Sequence, residues 1–159
     1  MPILLYRVDE RLIHGQVVVG WGTQLRPHRY LVVDSALAQS QWEQELYVLG
    51  VPEGAEAVFV SAAVAREELL GWRSSPQRCI LLTPDVDTML ALAKGGLLEG
   101  ENVNLGGIHL RKGREEVLPY IYLDDGDRAV LRELETEGVQ VTAQDLPGSP
   151  KVPLESLLG

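Results

Sequence analysis

Arg7, Asp9, Glu10 and Arg11 stand just ahead of His14, and Gly15 and Gln16 follow it. An imidazole titrates near neutral pH, so one ring nitrogen can attack an electrophile while the other is held as a donor. A guanidinium pairs bidentately with phosphate oxygens. A glycine beside the imidazole admits an approach that a Cβ would obstruct. Backbone N–H groups at the start of a helix favour an anion. This set of residue types fits transient carriage of a phosphoryl group on His14. Arg11 and Arg7 are candidate phosphate contacts, with Gly15 and Gln16 beside them. Asp9 is a candidate for orienting His14 or Arg11, and Glu10 is expected to face solvent.

The elements around this stretch must present it. Ile3–Tyr6 is an apolar run that reads as a buried strand, and Val17–Trp21 is where helical packing begins. His14 therefore falls at a strand-to-helix junction, on the carboxyl edge where α/β sheets bind ligands. Further strands are predicted at 31–33, 57–60, 79–82, 103–105, 120–123 and 139–142. Helices are predicted from the Asp34-Ser35 cap to about Leu49, from Ser61 to near Gly71, from Thr83-Pro84-Asp85 to about Lys94, and from about Asp127 to Glu137. Strands separated by helices imply βαβ crossovers and a largely parallel sheet covered on both faces. Ser35 and Thr83, at the ends of two of these strands, are capping residues that also point toward the edge of His14. Asn104-Leu105-Gly106-Gly107 reads as a tight turn. His109, Arg111, Lys112 and Arg114 then form the densest basic cluster.

Composition narrows the function. The chain has 159 residues and a formal net charge of −9, which disfavours nucleic acid or an anionic membrane surface as main partner. No stretch approaches the ~18 apolar residues of a membrane-spanning helix, and no signal peptide is visible. A cytoplasmic location is the expectation. Cys79 lies in an apolar run and reads as a core thiol, and His28 reads as incidental. The histidines and Cys79 lack metal-site spacing, and there is no dinucleotide or nucleoside-triphosphate loop, so no metal and no cofactor is expected.

The run Arg7-Val8-Asp9-Glu10-Arg11-Leu12-Ile13-His14-Gly15-Gln16-Val17 resembles the segment around the phosphorylated histidine in one family. This is the IIB component of the mannose/fructose/sorbose family of the sugar phosphotransferase system. Trp21, Thr83-Pro84, Asn104-Leu105-Gly106-Gly107, Tyr122-Leu123-Asp124-Asp125 and the leucine-rich tail resemble later family signatures in the same order. The resemblance implies a three-layer α/β/α sandwich on a mainly parallel sheet, as one IIB domain over residues 1–159. It implies that His14 accepts a phosphoryl group from a IIA component, with Arg11 and Asp9 as neighbours. The group then passes to a sugar held by the membrane components IIC and IID, with which the chain would associate peripherally. Ser35 and Ser40 stand where many relatives carry acidic residues, which keeps open a second reading, a IIB-like module that senses phosphorylation without sugar transport.

Docking is expected through the edge carrying His14. Apolar surface around Trp21 or Leu12 and the basic loop Arg111–Arg114 are candidate contacts. The sugar is not legible in the sequence, and neither is the oligomeric state, with which a homo-oligomer is compatible.

Overall fold

The computed structural model describes residues 2–159. Its centre is a seven-stranded sheet in the order β3-β2-β4-β1-β5-β8-β9. The strands are β1 (Ile3–Asp9), β2 (Arg29–Val33), β3 (Glu56–Val60), β4 (Cys79–Thr83), β5 (Asn102–Gly107), β8 (Gln140–Ala143) and β9 (Val152–Pro153). All pairs are parallel except β8 with β9. The continuous apolar runs read from the sequence are what a parallel sheet buried on both faces requires.

Two apolar clusters cover the two faces. On one face lie α1 and α2 (Gln41–Val48); α1 begins as a π-helical stretch, Gln16–Trp21, and continues as Gly22–Leu25. Val17 and Trp21 pack there with Ile80 and Leu82, and Tyr47 of α2 closes against them. On the other face lie α3 (Ala62–Ser74), α4 (Val86–Ala93), α5 (Asp125–Thr136) and the short α6 (Leu154–Leu158), packed through Leu69, Met89, Leu131 and Leu157. The fold is the expected α/β/α sandwich.

Several local expectations are corrected. The helix predicted from Asp34 to Leu49 is broken: Asp34 accepts the N–H groups of Ala36 and Leu37, a short 3₁₀ turn spans Leu37–Gln39, and α2 starts only at Gln41. An aspartate bonding its own downstream backbone competes with helix propagation. The strand predicted at 120–123 does not enter the central sheet; β7 (Ile121–Leu123) pairs antiparallel with β6 (Glu115–Leu118). Gly106 and Gly107 are not a turn but the last residues of β5. α5 opens on the expected cap, a reciprocal capping box between Asp124 and Asp127.

This topology places the site. β1 lies between β4 and β5. The chain leaves β1 toward the face of α1, whereas β4 and β5 lead to helices of the opposite face. The connections therefore diverge at the carboxyl end of β1, which is where open α/β sheets form a ligand crevice.

Candidate functional site

The site is built around one carboxylate. Asp9, the last residue of β1, is fully buried. Its Oδ2 accepts Nε and Nη2 of Arg7 at 3.2 and 2.9 Å. Arg11 donates three times: its backbone N–H at 3.1 Å and Nε at 3.0 Å to Oδ1, and Nη2 at 3.0 Å to Oδ2. Burial alone would raise the Asp9 carboxyl, but the Arg11 hydrogen bonds, the Arg7 charge and His14 outweigh it and hold it below the usual carboxylate range. Two guanidinium groups around one carboxylate leave the cluster a net positive charge, the sign a phosphoryl group requires.

The two arginines are disposed differently. Arg7 is fully buried. Its Nη1 donates to Asn104 Oδ1 at 2.8 Å and to the Gln144 carbonyl at 3.1 Å, and its guanidinium lies 5.6 Å from the centroid of the Trp21 ring. Asn104 Nδ2 donates to the same Gln144 carbonyl, and Trp21 Nε1 is fixed on the Asp145 carbonyl. Arg7 thus faces inward and reaches the edge only through Asp9 and Gln16, which departs from its expected place as a phosphate contact. Arg11 keeps 35% of its side chain exposed. Gln16 Oε1 accepts from Arg11 Nη2 at 3.0 Å and from Arg7 Nη2 at 3.4 Å, bridging the pair from the start of α1.

The paired glycines of β5 belong to this cluster. A Cβ at Gly106 would fall 1.9 Å from the Arg7 guanidinium carbon, and one at Gly107 would fall 2.8 Å from Asp9 Oδ1. Only glycine leaves room there for the buried ion pair. At Gly15 a Cβ would meet nothing within 4 Å, so the space beside His14 is open.

His14 sits at the mouth of the cluster, its side chain 17% exposed. Leu12 adopts a left-handed conformation with φ 55°, uncommon for a bulky residue, and its carbonyl accepts His14 Nδ1 at 2.8 Å. Because a carbonyl only accepts, Nδ1 carries the proton in this orientation. Nε2 lies 3.6 Å from Asp9 Oδ2 and is buried without a hydrogen-bond partner among the described residues. Burial lowers the His14 pKa below its ordinary value, outweighing the Leu12 carbonyl and the Asp9 charge, which favour the protonated ring. The ring at neutral pH is therefore the uncharged form that can act as a nucleophile.

The sequence matches the family model of the PTS system sorbose subfamily IIB component over residues 3–159. The chain belongs to that family. It is similar to the N-acetylgalactosamine-specific phosphotransferase enzyme IIB component 1 of Escherichia coli (strain K12), with 30% identity over 149 residues and 94% of each chain covered. It is also similar to the mannose-specific EIIAB component of the same strain, with 27% identity over 158 residues, or 99% of this chain and 49% of that longer protein. The crystal structure of the IIBSor domain of the sorbose permease from Klebsiella pneumoniae aligns with a TM-score of 0.88 at 25% identity, covering 99% of this chain and 96% of that one.

In this IIB component His14, Arg11, Asp9, Gln16 and Arg7 are brought together. Ser35 and Thr83 are not bonded into the group. Ser35 is exposed, at the end of a strand two removed from β1. Thr83 is buried, and its hydroxyl donates to the Asp85 carbonyl. Glu10 does not simply face solvent. It accepts the His109 N–H at 2.7 Å and Arg114 Nη1 at 3.2 Å, and pairs with Arg111 at 3.5 Å, clasping the basic loop. Arg114 is only 8% exposed and also pairs with Asp127, so it secures the loop rather than offering a free charge. Trp21 and Leu12, expected as apolar docking surface, are 8% and 2% exposed and belong to the core. Sequence reading missed the support that Asn104, Gln144 and Trp21 give Arg7; an arginine inside an otherwise apolar strand was the available signal. Among the described residues no helix is long and apolar enough to cross a membrane.

Proposed function

We propose that this IIB component is the phosphocarrier of a sugar phosphotransferase system, and that His14 carries the phosphoryl group. The observation that supports this most directly is the placement of the His14 ring, Nδ1 on the Leu12 carbonyl and Nε2 3.6 Å from Asp9, beside an Asp9–Arg11–Arg7 cluster of net positive charge at the carboxyl edge of the sheet. The donor is a IIA component, and the fused EIIAB name of one relative supports that pairing. The acceptor is a sugar bound by the membrane components IIC and IID, with which the chain associates at the membrane face.

Transfer proceeds as an exchange. As the N–P bond on the donor's histidine breaks, one forms on His14, and the donor imidazole leaves with its electron pair. In the resting orientation one ring nitrogen is tied to the Leu12 carbonyl and the other is buried toward Asp9. The ring must therefore turn to bring its unprotonated nitrogen to the donor, while the other nitrogen keeps the single N–H. Asp9 then balances the positive charge that develops on the imidazole. Arg11, the reachable guanidinium, takes phosphoryl oxygens and yields its Gln16 contact. The N–H groups of Gly15 and Gln16 add donors at the helix start, whereas those of Val17 and Val18 are already bonded to the His14 carbonyl. Exchange between two histidines is near balanced in energy, so positioning supplies most of the acceleration.

The test is incubation with phosphoenolpyruvate, the general phosphotransferase proteins and a matching IIA, followed by mass mapping. An acid-labile, base-stable label is expected on the His14 peptide and absent from His14→Ala. Full labelling of His14→Ala would overturn the assignment.

A further inference from the structure

α2 packs unlike the other α-helices of the fold. None of its residues is buried. Yet Trp42, Leu46 and the capping Leu49 are 66%, 58% and 83% exposed. Their spacing of four and then three residues sets them on one helix face, so they form a continuous apolar stripe rather than scattered exposures. The stripe adjoins the site: Ile13, covalently next to His14, lines one hollow of about 380 Å³ with Trp42, Leu46 and Tyr47.

Charge divides the surroundings. At the carboxyl end of β2 and along α2 the chain carries Asp34, Glu43 and Glu45 and no lysine or arginine, whereas Glu53 and Glu56 lie at the amino end of β3, among Arg26, Arg78 and Arg29. β2, which leads into α2, lies two strands from β1, about 10 Å away. On the other side of β1, the loop after β5 exposes Arg111 and Lys112. The edge around His14 therefore has an apolar, acidic flank and, across β1, a loop whose cations Arg111 and Arg114 are partly answered by Glu10 and whose Lys112 is exposed.

A phosphocarrier must bring two partners to the same histidine. Resting on that reading, we propose that the Trp42–Leu46–Leu49 face seats the membrane component, through an apolar cluster ringed by lysine and arginine. Cytoplasmic loops of membrane proteins carry an excess of these cations, which complements the acidic flank. The anionic lipid surface itself repels that flank, so the occupant is the protein rather than the bilayer. The phosphodonor is left with the side of the Arg111–Lys112 loop. The apolar stripe supplies the buried anchor of the interface, and the acids supply rate and salt dependence.

The test compares wild type, Trp42→Ala/Leu46→Ala and Glu43→Lys/Glu45→Lys. Co-sedimentation is measured with vesicles bearing IIC and IID and with matched lipid-only vesicles, alongside labelling by phospho-IIA in solution. Alanine at both anchors is expected to weaken binding to component-bearing vesicles about 30-fold, the equivalent of one hot-spot residue. It should leave labelling by phospho-IIA unchanged. The lysine pair is expected to weaken vesicle binding most at low salt, with an unchanged melt showing that the fold is intact. Slowed labelling by phospho-IIA with unchanged vesicle binding would assign the face to the donor and overturn the proposal. So would binding to lipid-only vesicles, or a self-association lost in the alanine variant without any change at the vesicles. If wild type takes no label on His14, the phosphocarrier reading fails, while the vesicle comparison still decides what α2 binds.

Discussion

Arg7 and Arg11 hold the same carboxylate and live in different worlds. The Arg7 side chain is 0% exposed and the Arg11 side chain 35%. Arg7 has its donors spent on Asp9, Asn104, the Gln144 carbonyl and, at 3.4 Å, Gln16, under the ring of Trp21. Arg11 faces the edge, with one of its contacts a neutral amide. One guanidinium is part of the core; the other is available to an incoming anion. Residue type and spacing are alike for both, so the difference comes from the sheet: alternation along β1 drives Arg7 beneath α1, whereas Arg11 lies beyond the strand's end.

The largest expected effect breaks the buried member. Arg7→Met leaves Asp9 short of its buried counter-charge and strips Asn104 and Gln144 of a donor. Removing one partner of a buried pair costs about 3–5 kcal/mol, read as a lowered urea midpoint. Gly106→Ala should act in the same direction, because its Cβ would occupy the guanidinium's place. A wild-type melt for Arg7→Met would show that the guanidinium is not a core element.

The exposed member should behave in the opposite way. Arg11→Lys keeps the charge but loses the fork that grips phosphate oxygens. Transfer from phospho-IIA should slow by roughly 30- to 150-fold, the equivalent of about 2–3 kcal/mol of transition-state stabilisation. Stability should change by about 1 kcal/mol or less, as for a half-exposed ion pair. Single-turnover rates and melts on one preparation check both halves, and a large stability loss at the parent transfer rate would merge the two arginines into one structural role.

A smaller effect concerns pH. The folded His14 pKa lies below the ordinary 6.5, so below that value the unfolded chain takes up its proton first. The stability this contributes is present above pH 6.5 and is lost as pH falls through the folded value. Asp9, also depressed, acts in the same direction further down, from about its ordinary 3.8. The urea midpoint should therefore decline between pH 7 and pH 5, with a shallower slope in His14→Gln. A steeper decline in that variant would mean that burial does not disfavour the charged ring.

The smallest effect lies on the rim. Arg111→Glu with Lys112→Glu should slow association with IIA at low salt and leave the rate at saturation unchanged. Arg114 is excluded from this test, since its pairing with Glu10 and Asp127 would confound rate with folding. A salt-independent rate would remove the loop from the donor's footprint.

Much of this was legible in the sequence, for identifiable reasons. Apolar runs bounded by caps and glycines marked the parallel strands, and the strand-to-helix junction placed His14 on the carboxyl edge. The role of Gly106 and Gly107 was not legible, because what demands glycine there is a guanidinium and a carboxylate arriving from β1, some hundred residues earlier. Glu10 read as solvated because its partners lie on a loop near residue 110. Trp21 and Leu12 read as docking surface because their hydrophobicity does not say which way they point, while the apolar surface actually left open, on α2, read as an ordinary helix.

The central claim is that His14 is the phosphoryl carrier, and nitrogen-15 NMR of the imidazoles before and after reaction with phospho-IIA tests it most directly. The account predicts phosphorus coupling on one ring nitrogen of His14, with its other nitrogen still hydrogen-bonded, and unchanged rings at His28 and His109. Coupling at either of those two histidines, or a fully reacted protein whose His14 ring is unaltered, would contradict it.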